Sequence, residues 1–140
     1  MERCWLDIET LPAVWSQAEK LEAAQKAVPG NIKKPESVAR WVEENAASVH
    51  ERTSLESMDG MILAIGWAGD DGPVLSTYNK SGTMDGENDA LGELEQWLRK
   101  HRPSTIVAHN GIKFDFRWLR NRADRKSTRL NSSHLVISYA

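Results

Sequence analysis

The chain opens on Cys4-Trp5-Leu6-Asp7-Ile8-Glu9, an apolar stretch whose last residues turn polar at alternate positions. This pattern predicts a buried strand, which Thr10-Leu11-Pro12 then breaks. Residues 13–28 are rich in Ala, Glu, Lys and Gln and predict a helix. Val28-Pro29-Gly30-Asn31 is a turn. Pro35-Glu36-Ser37 opens a second helix, with Val38, Trp41 and Val42 on one face. Residues 51–60 read as a connection. Met61 to Ala68 is a nearly continuous apolar run and predicts another buried strand. Asp70-Asp71-Gly72 is a hairpin-like turn into a strand from Pro73 to Tyr78. Lys80 to Glu87 reads as a loop, and residues 88–101 as an amphipathic helix with Leu91, Leu94 and Leu98 on one side. Pro103 stops that helix. Thr105-Ile106-Val107-Ala108 is a short buried strand, and a helix from near Ile112 carries Phe114, Trp118 and Leu119 inward. The order is strand, helical insert, strand, strand, helix, strand, helix. It predicts an α/β fold with a sheet of mixed direction.

Composition adds bounds. At 140 residues the chain suits one domain, and 40% hydrophobic with 27% charged residues is ordinary for a globular protein. The net charge of −2 announces no broad basic face. An enzyme gripping a few nucleotides at one chain end needs only a local basic patch. No stretch approaches the roughly 20 apolar residues of a membrane span, so no membrane partner is expected. The single cysteine, Cys4, cannot form an internal disulfide, and a cytoplasmic location is expected.

From Asp124 the periodicity is lost. Asp124 to His134 is the translation of a common short-read sequencing adapter, and Ile137-Ser138-Tyr139-Ala140 resumes it after a barcode at Leu135-Val136. The native product is therefore expected to run to about Arg122. Residues 1–122 would then be a partial domain and 123–140 a non-native tail, which gives His134 and Tyr139 no functional role.

Asp7 and Glu9 carry the first candidate chemistry. On a strand, residues two apart point to the same face. Two neighbouring carboxylates repel, and a divalent cation would offset that repulsion, since Mg²⁺ and Mn²⁺ prefer carboxylate oxygens. A solvated strand end is the plain alternative. The second element is Val107-Ala108-His109-Asn110-Gly111-Ile112-Lys113-Phe114-Asp115. Asp115 falls in the first turn of a helix, where the helix dipole alone favours an acid. Phe114 and Trp118 suit a core, and His109 suits a hydrogen-bonded structural position.

Asp7-Ile8-Glu9-Thr10 on an N-terminal strand, followed by Asn110-x-x-x-Phe114-Asp115 at a later helix, resembles the first two motifs of DnaQ-like (DEDD) 3′–5′ exonucleases. Gly30-Asn31-Ile32-Lys33-Lys34-Pro35, Arg52 to Leu55, and Ile65-Gly66-Trp67-Ala68 look like the PolB-like 3′–5′ exonuclease subgroup found in phages and bacteria. The resemblance implies a ribonuclease-H-like mixed sheet with flanking helices. The first strand would be central, with the hairpin strands on one side and the strand from Thr105 on the other. It implies Asp7, Glu9 and Asp115 as catalytic residues holding two divalent cations, Mg²⁺ or Mn²⁺, with the match to Asp7 bridging both. It implies Thr10, Leu11, Asn110 and Phe114 as nucleic-acid contacts and a 5′-mononucleotide product. The partner would be single-stranded or 3′-end nucleic acid, DNA ahead of RNA. The family also needs a third motif with a fourth carboxylate and a His or Tyr. This sequence does not supply it, so a C-terminally truncated fold with little or no nuclease activity is expected.

Lys33-Lys34 lies between two helices, in the part most typical of the subgroup, and is a candidate nucleic-acid contact. Arg99-Lys100-His101-Arg102 ends a helix, where cations are favoured in any case. Two other classes remain to compare. A phosphate-transfer protein of the sugar-kinase and actin type needs glycine where this chain has Glu9. A non-catalytic nucleic-acid-binding module could keep the fold, but would have no need of Asp7, Glu9 and Asp115 together.

Overall fold

The structure, a computed structural model, describes residues 3–124. Most of the tail read as adapter-derived lies outside that range. The described residues divide into two compact units, one formed by residues 3–10 with 61–124, the other by Leu11–Gly60.

The first unit is built on a four-stranded sheet. Strand β1 (Arg3–Leu11) is followed, after the second unit, by β2 (Met61–Gly69), β3 (Leu75–Tyr78), helix α3 (Met84–His101), β4 (Thr105–Val107) and helix α4 (Asp115–Asp124). The second unit holds α1 (Gln17–Lys26), α2 (Pro35–Arg52) and a short 3₁₀ turn, Thr53–Leu55. The strand order is β3-β2-β1-β4, so β1 is internal, with the hairpin on one side and β4 on the other. β4 runs parallel to β1, Cys4 opposite Ile106, and β3 runs antiparallel to β2, Ile65 opposite Thr77. This is the mixed α/β sheet expected, consistent with a ribonuclease-H-like arrangement.

Alternation along β1 explains how the sheet buries one face. Cys4, Leu6 and Ile8 are buried, while Arg3, Trp5, Asp7 and Glu9 between them are exposed. The buried set joins Ile62, Ile65 and Trp67 of β2, Ile106 of β4, Leu91 and Leu94 of α3, and Phe116, Trp118 and Leu119 of α4. Each of these large side chains contributes about 1.5–3 kcal/mol by leaving water.

α3 starts four residues earlier than its apolar stripe suggests. Thr83 caps it by accepting from the Gly86 N–H, and Asp85 and Glu87 in the first turn suit the helix dipole. Gly86 is required by a close approach: a side chain there would collide with Asn79, whose amide bonds the Thr83 carbonyl and the Met61 sulfur. α4 starts later than expected, at Asp115. Residues 109–114 form a tight turn closed by Phe114 N–H to the Asn110 carbonyl and Phe116 N–H to the Gly111 carbonyl. The Phe116 ring lies where a Gly111 side chain would be.

In the Leu11–Gly60 unit, α1 begins with a reciprocal cap. Ser16 accepts from the Glu19 N–H, and the Glu19 carboxylate accepts from the Ser16 N–H. α2 starts on Pro35 at its first turn and runs to Arg52, further than the connection read at 51–60. The Thr53 hydroxyl accepts from the Ala13 N–H and donates to the His50 carbonyl, while His50 Nε2 donates to the Ala13 carbonyl at 2.7 Å.

Candidate carboxylate site

β4 pairs with β1 only as far as Trp5 opposite Val107, while β1 continues to Leu11. Beyond Trp5 the chain that follows β4 supplies a side chain instead of a strand. The backbone amides of Ile8 and Asn110, and that of Asp115 itself, lie close enough to the Asp115 carboxylate to favour its charged form. The acid at the start of α4 is thereby held against the middle of β1. It is 3% exposed, unusual for an aspartate.

Asp7 is close enough for its charge to act on Asp115. Removal from water pushes the Asp115 carboxyl up from its ordinary range, and the negative charge of Asp7 adds to that push. The three amides pull the other way but do not cancel it. Among the described residues, none of the Lys–, Arg– or His–carboxylate ion pairs involves either acid. Glu9 is exposed on the same face of β1 as Asp7. The structure therefore brings Asp7 within electrostatic reach of Asp115. Among the described residues, it gathers no three His, Cys, Asp or Glu side chains into a ready cation cage.

That arrangement has a definite chemical capacity. Mg²⁺ keeps several waters and commonly uses one or two protein carboxylates, so an Asp7–Asp115 pair fits a single hydrated cation. A positive ion there would offset both the repulsion from Asp7 and the burial of Asp115. Holding two ions would require Glu9 to turn in and further oxygens to arrive.

The remaining candidates are placed as follows. Thr10 and Leu11 end β1 and are half-buried. Asn110 and His109 are exposed in the turn before α4, and Phe114 is half-buried, its ring 5.9 Å from Trp118. Ile112 and Lys113 of the same turn are exposed. Lys33 and Lys34 are exposed at the start of α2, in the other unit.

One buried polar group escaped the sequence reading. Arg122, 2% exposed, makes a two-pronged contact with Glu87, 0% exposed: Nε to Oε1 and Nη2 to Oε2, each at 2.8 Å. Glu87 Oε1 also accepts from the Ile62 N–H. The signal was present in the spacing. Glu87 falls on the stripe of Ala90, Leu91 and Leu94, and Arg122 on that of Asp115, Trp118 and Leu119, so a charge of opposite sign to Glu87 stands on the second inward stripe.

No family model matches the chain, and no curated protein matches it significantly. No helix among the described residues is long and apolar enough to cross a membrane.

Proposed function

We propose that this chain carries part of the active site of a metal-dependent 3′–5′ exonuclease of the DnaQ-like class, acting on nucleic-acid 3′ ends. The observation that supports the reading most is that buried Asp115 lies within reach of the charge of Asp7. Two acids distant in sequence, one on an internal strand and one at a helix start, lie within reach of each other's charge, with no cation from the protein among the described ion pairs. Like charges cost free energy unless something positive joins them.

In this reading Asp7 and Asp115 bind a divalent cation, and Glu9, exposed beside Asp7, is available to a second. Bound there, such ions would activate water and stabilise the departing 3′ oxygen. Backbone amides already favour the charged form of Asp115 that such an ion would require. Thr10, Leu11, Asn110 and Phe114 border the acids along the chain and are assigned to the terminal nucleotide. The chain as it stands is expected to turn over slowly, because no third acid closes around the pair among the described residues.

The test is Mn²⁺-dependent thermal stabilisation. Ligand at a hundredfold excess over its Kd should add about 2.7 kcal/mol, and Asp7→Asn should abolish the gain. An Asp7→Asn variant that responds like the parent would end the proposal. Oligonucleotide binding with a steep salt dependence but no Mn²⁺ response would favour the second reading, a non-catalytic nucleic-acid-binding module on the same fold.

A further inference from the structure

We propose that the buried Glu87–Arg122 pair is a positioning element that sets where along β1 the Asp115 carboxylate is delivered; its functional half rests on the reading of Asp7 and Asp115 as a cation site. Asp115, Trp118, Leu119 and Arg122 are all buried and recur at helical spacing, so they form one stripe of α4. Arg122 lies two turns from Asp115, about 10 Å along the axis at 1.5 Å per residue. The apolar contacts of Phe116, Trp118, Leu119 and Ala123 hold α4 by burial, which sets its axial position less sharply than a directed bond does. The guanidinium fork is directional. Both prongs land on Glu87 of α3, and Glu87 Oε1 also holds the Ile62 amide of β2. α4 is therefore pinned at one end to the backbone of the sheet. Its other end presents Asp115 to the Ile8 amide of β1.

A second observation separates positioning from simple stabilisation. Arg122 Nη1 is buried with no hydrogen-bond partner. A charge buried with a donor left over is a poor way to gain stability, since well-packed apolar residues would serve as well or better. The pair makes sense where geometry is the product.

The experiment uses Arg122→Lys, which keeps the charge on Glu87 but loses the fork; Arg122→Ala risks unfolding the unit. Amide hydrogen exchange is read at Ile8, whose N–H depends on Asp115, and at Ile65 and Thr77, paired in the β2–β3 ladder. The expected result is exchange at Ile8 faster by roughly tenfold or more, with Ile65 and Thr77 unchanged, as a local opening requires. Unchanged protection at Ile8, or an equal loss at all three amides, overturns the positioning role. Mn²⁺ titration of the same proteins then separates the two proposals. Weaker Mn²⁺ binding by Arg122→Lys, by about tenfold or 1.4 kcal/mol, supports both. A selective change at Ile8 in a protein whose parent form ignores Mn²⁺ keeps the positioning role and rejects the cation site. Parent Mn²⁺ binding that needs Asp7, with Ile8 unmoved by Arg122→Lys, does the reverse.

Discussion

The two units bury different kinds of residue. The sheet unit fills its interior with Leu, Ile, Trp and Phe side chains and one charged pair. The Leu11–Gly60 unit buries Ala13, Ala24, Ala46, Thr53, Ser57 and Gly60, none of them large. Small side chains release little surface from water, so the first unit rests on apolar burial and the second on directed bonds and caps. The helical unit should therefore open at lower cost than the sheet unit, and each should fail through a different kind of substitution.

The largest effect is expected from Leu94→Ala. Leu94 is fully buried in the sheet unit, and its truncation should cost about 2–5 kcal/mol. Cys4 offers a reporter within the same core. Burial pushes its thiol up to about 11, so a thiol reagent should label it only when the unit opens. Faster labelling of Leu94→Ala, with unchanged protease sensitivity across 11–60, would confirm that the core belongs to one unit. Equal acceleration of both would show that the units open together.

Thr53→Ala should come next, at about 1–3 kcal/mol, because it strands the Ala13 amide that its hydroxyl accepts from. Here the pattern should reverse: proteolysis within Leu11–Gly60 quickens and Cys4 labelling does not.

The smallest effect should come from Asp115→Asn, and it should depend on pH. The Asp115 carboxyl is raised above its ordinary value near 3.8, so ionisation disfavours the folded sheet unit. The penalty is absent when the acid is protonated in both states and grows as pH rises from the unfolded value through the raised folded one. Asp115→Asn should thus slow Cys4 labelling at neutral pH, lose that advantage as pH falls through about 3.8, and leave the helical unit unaltered. A gain independent of pH would contradict the assigned cause.

Much of the sheet unit was legible because burial writes itself as period. The alternation of Cys4, Leu6 and Ile8 with Trp5, Asp7 and Glu9 gave both the strand and the shared face of its acids. The apolar run from Met61 and the stripe of Leu91, Leu94 and Leu98 gave their elements. What stayed hidden depended on partners far along the chain. Lys80 to Glu87 read as loop because its glycines and polar residues score poorly for helix, whereas Thr83 and the Asn79 amide hold that helix start in place. The ion pair of Glu87 and Arg122 joins residues 35 positions apart, and a pattern read one segment at a time shows two charges without their contact. At the candidate site, the strand placed Asp7 beside Glu9. That Asp115 joins them came from the resemblance, and its burial against β1 came from the tertiary structure alone.

The turn before α4 carries a consequence for finding kindred sequences. Gly111 has no side chain because the ring of Phe116 fills that place. The two positions are one mould and its cast. A chain that swaps the glycine for alanine must shrink or swing the ring, and a chain that shrinks the ring leaves a hole beside its own aspartate. Glycine and an aromatic five residues later should therefore vary as a couple, and a search keyed to that couple would reach cousins whose acids alone are too common to betray them.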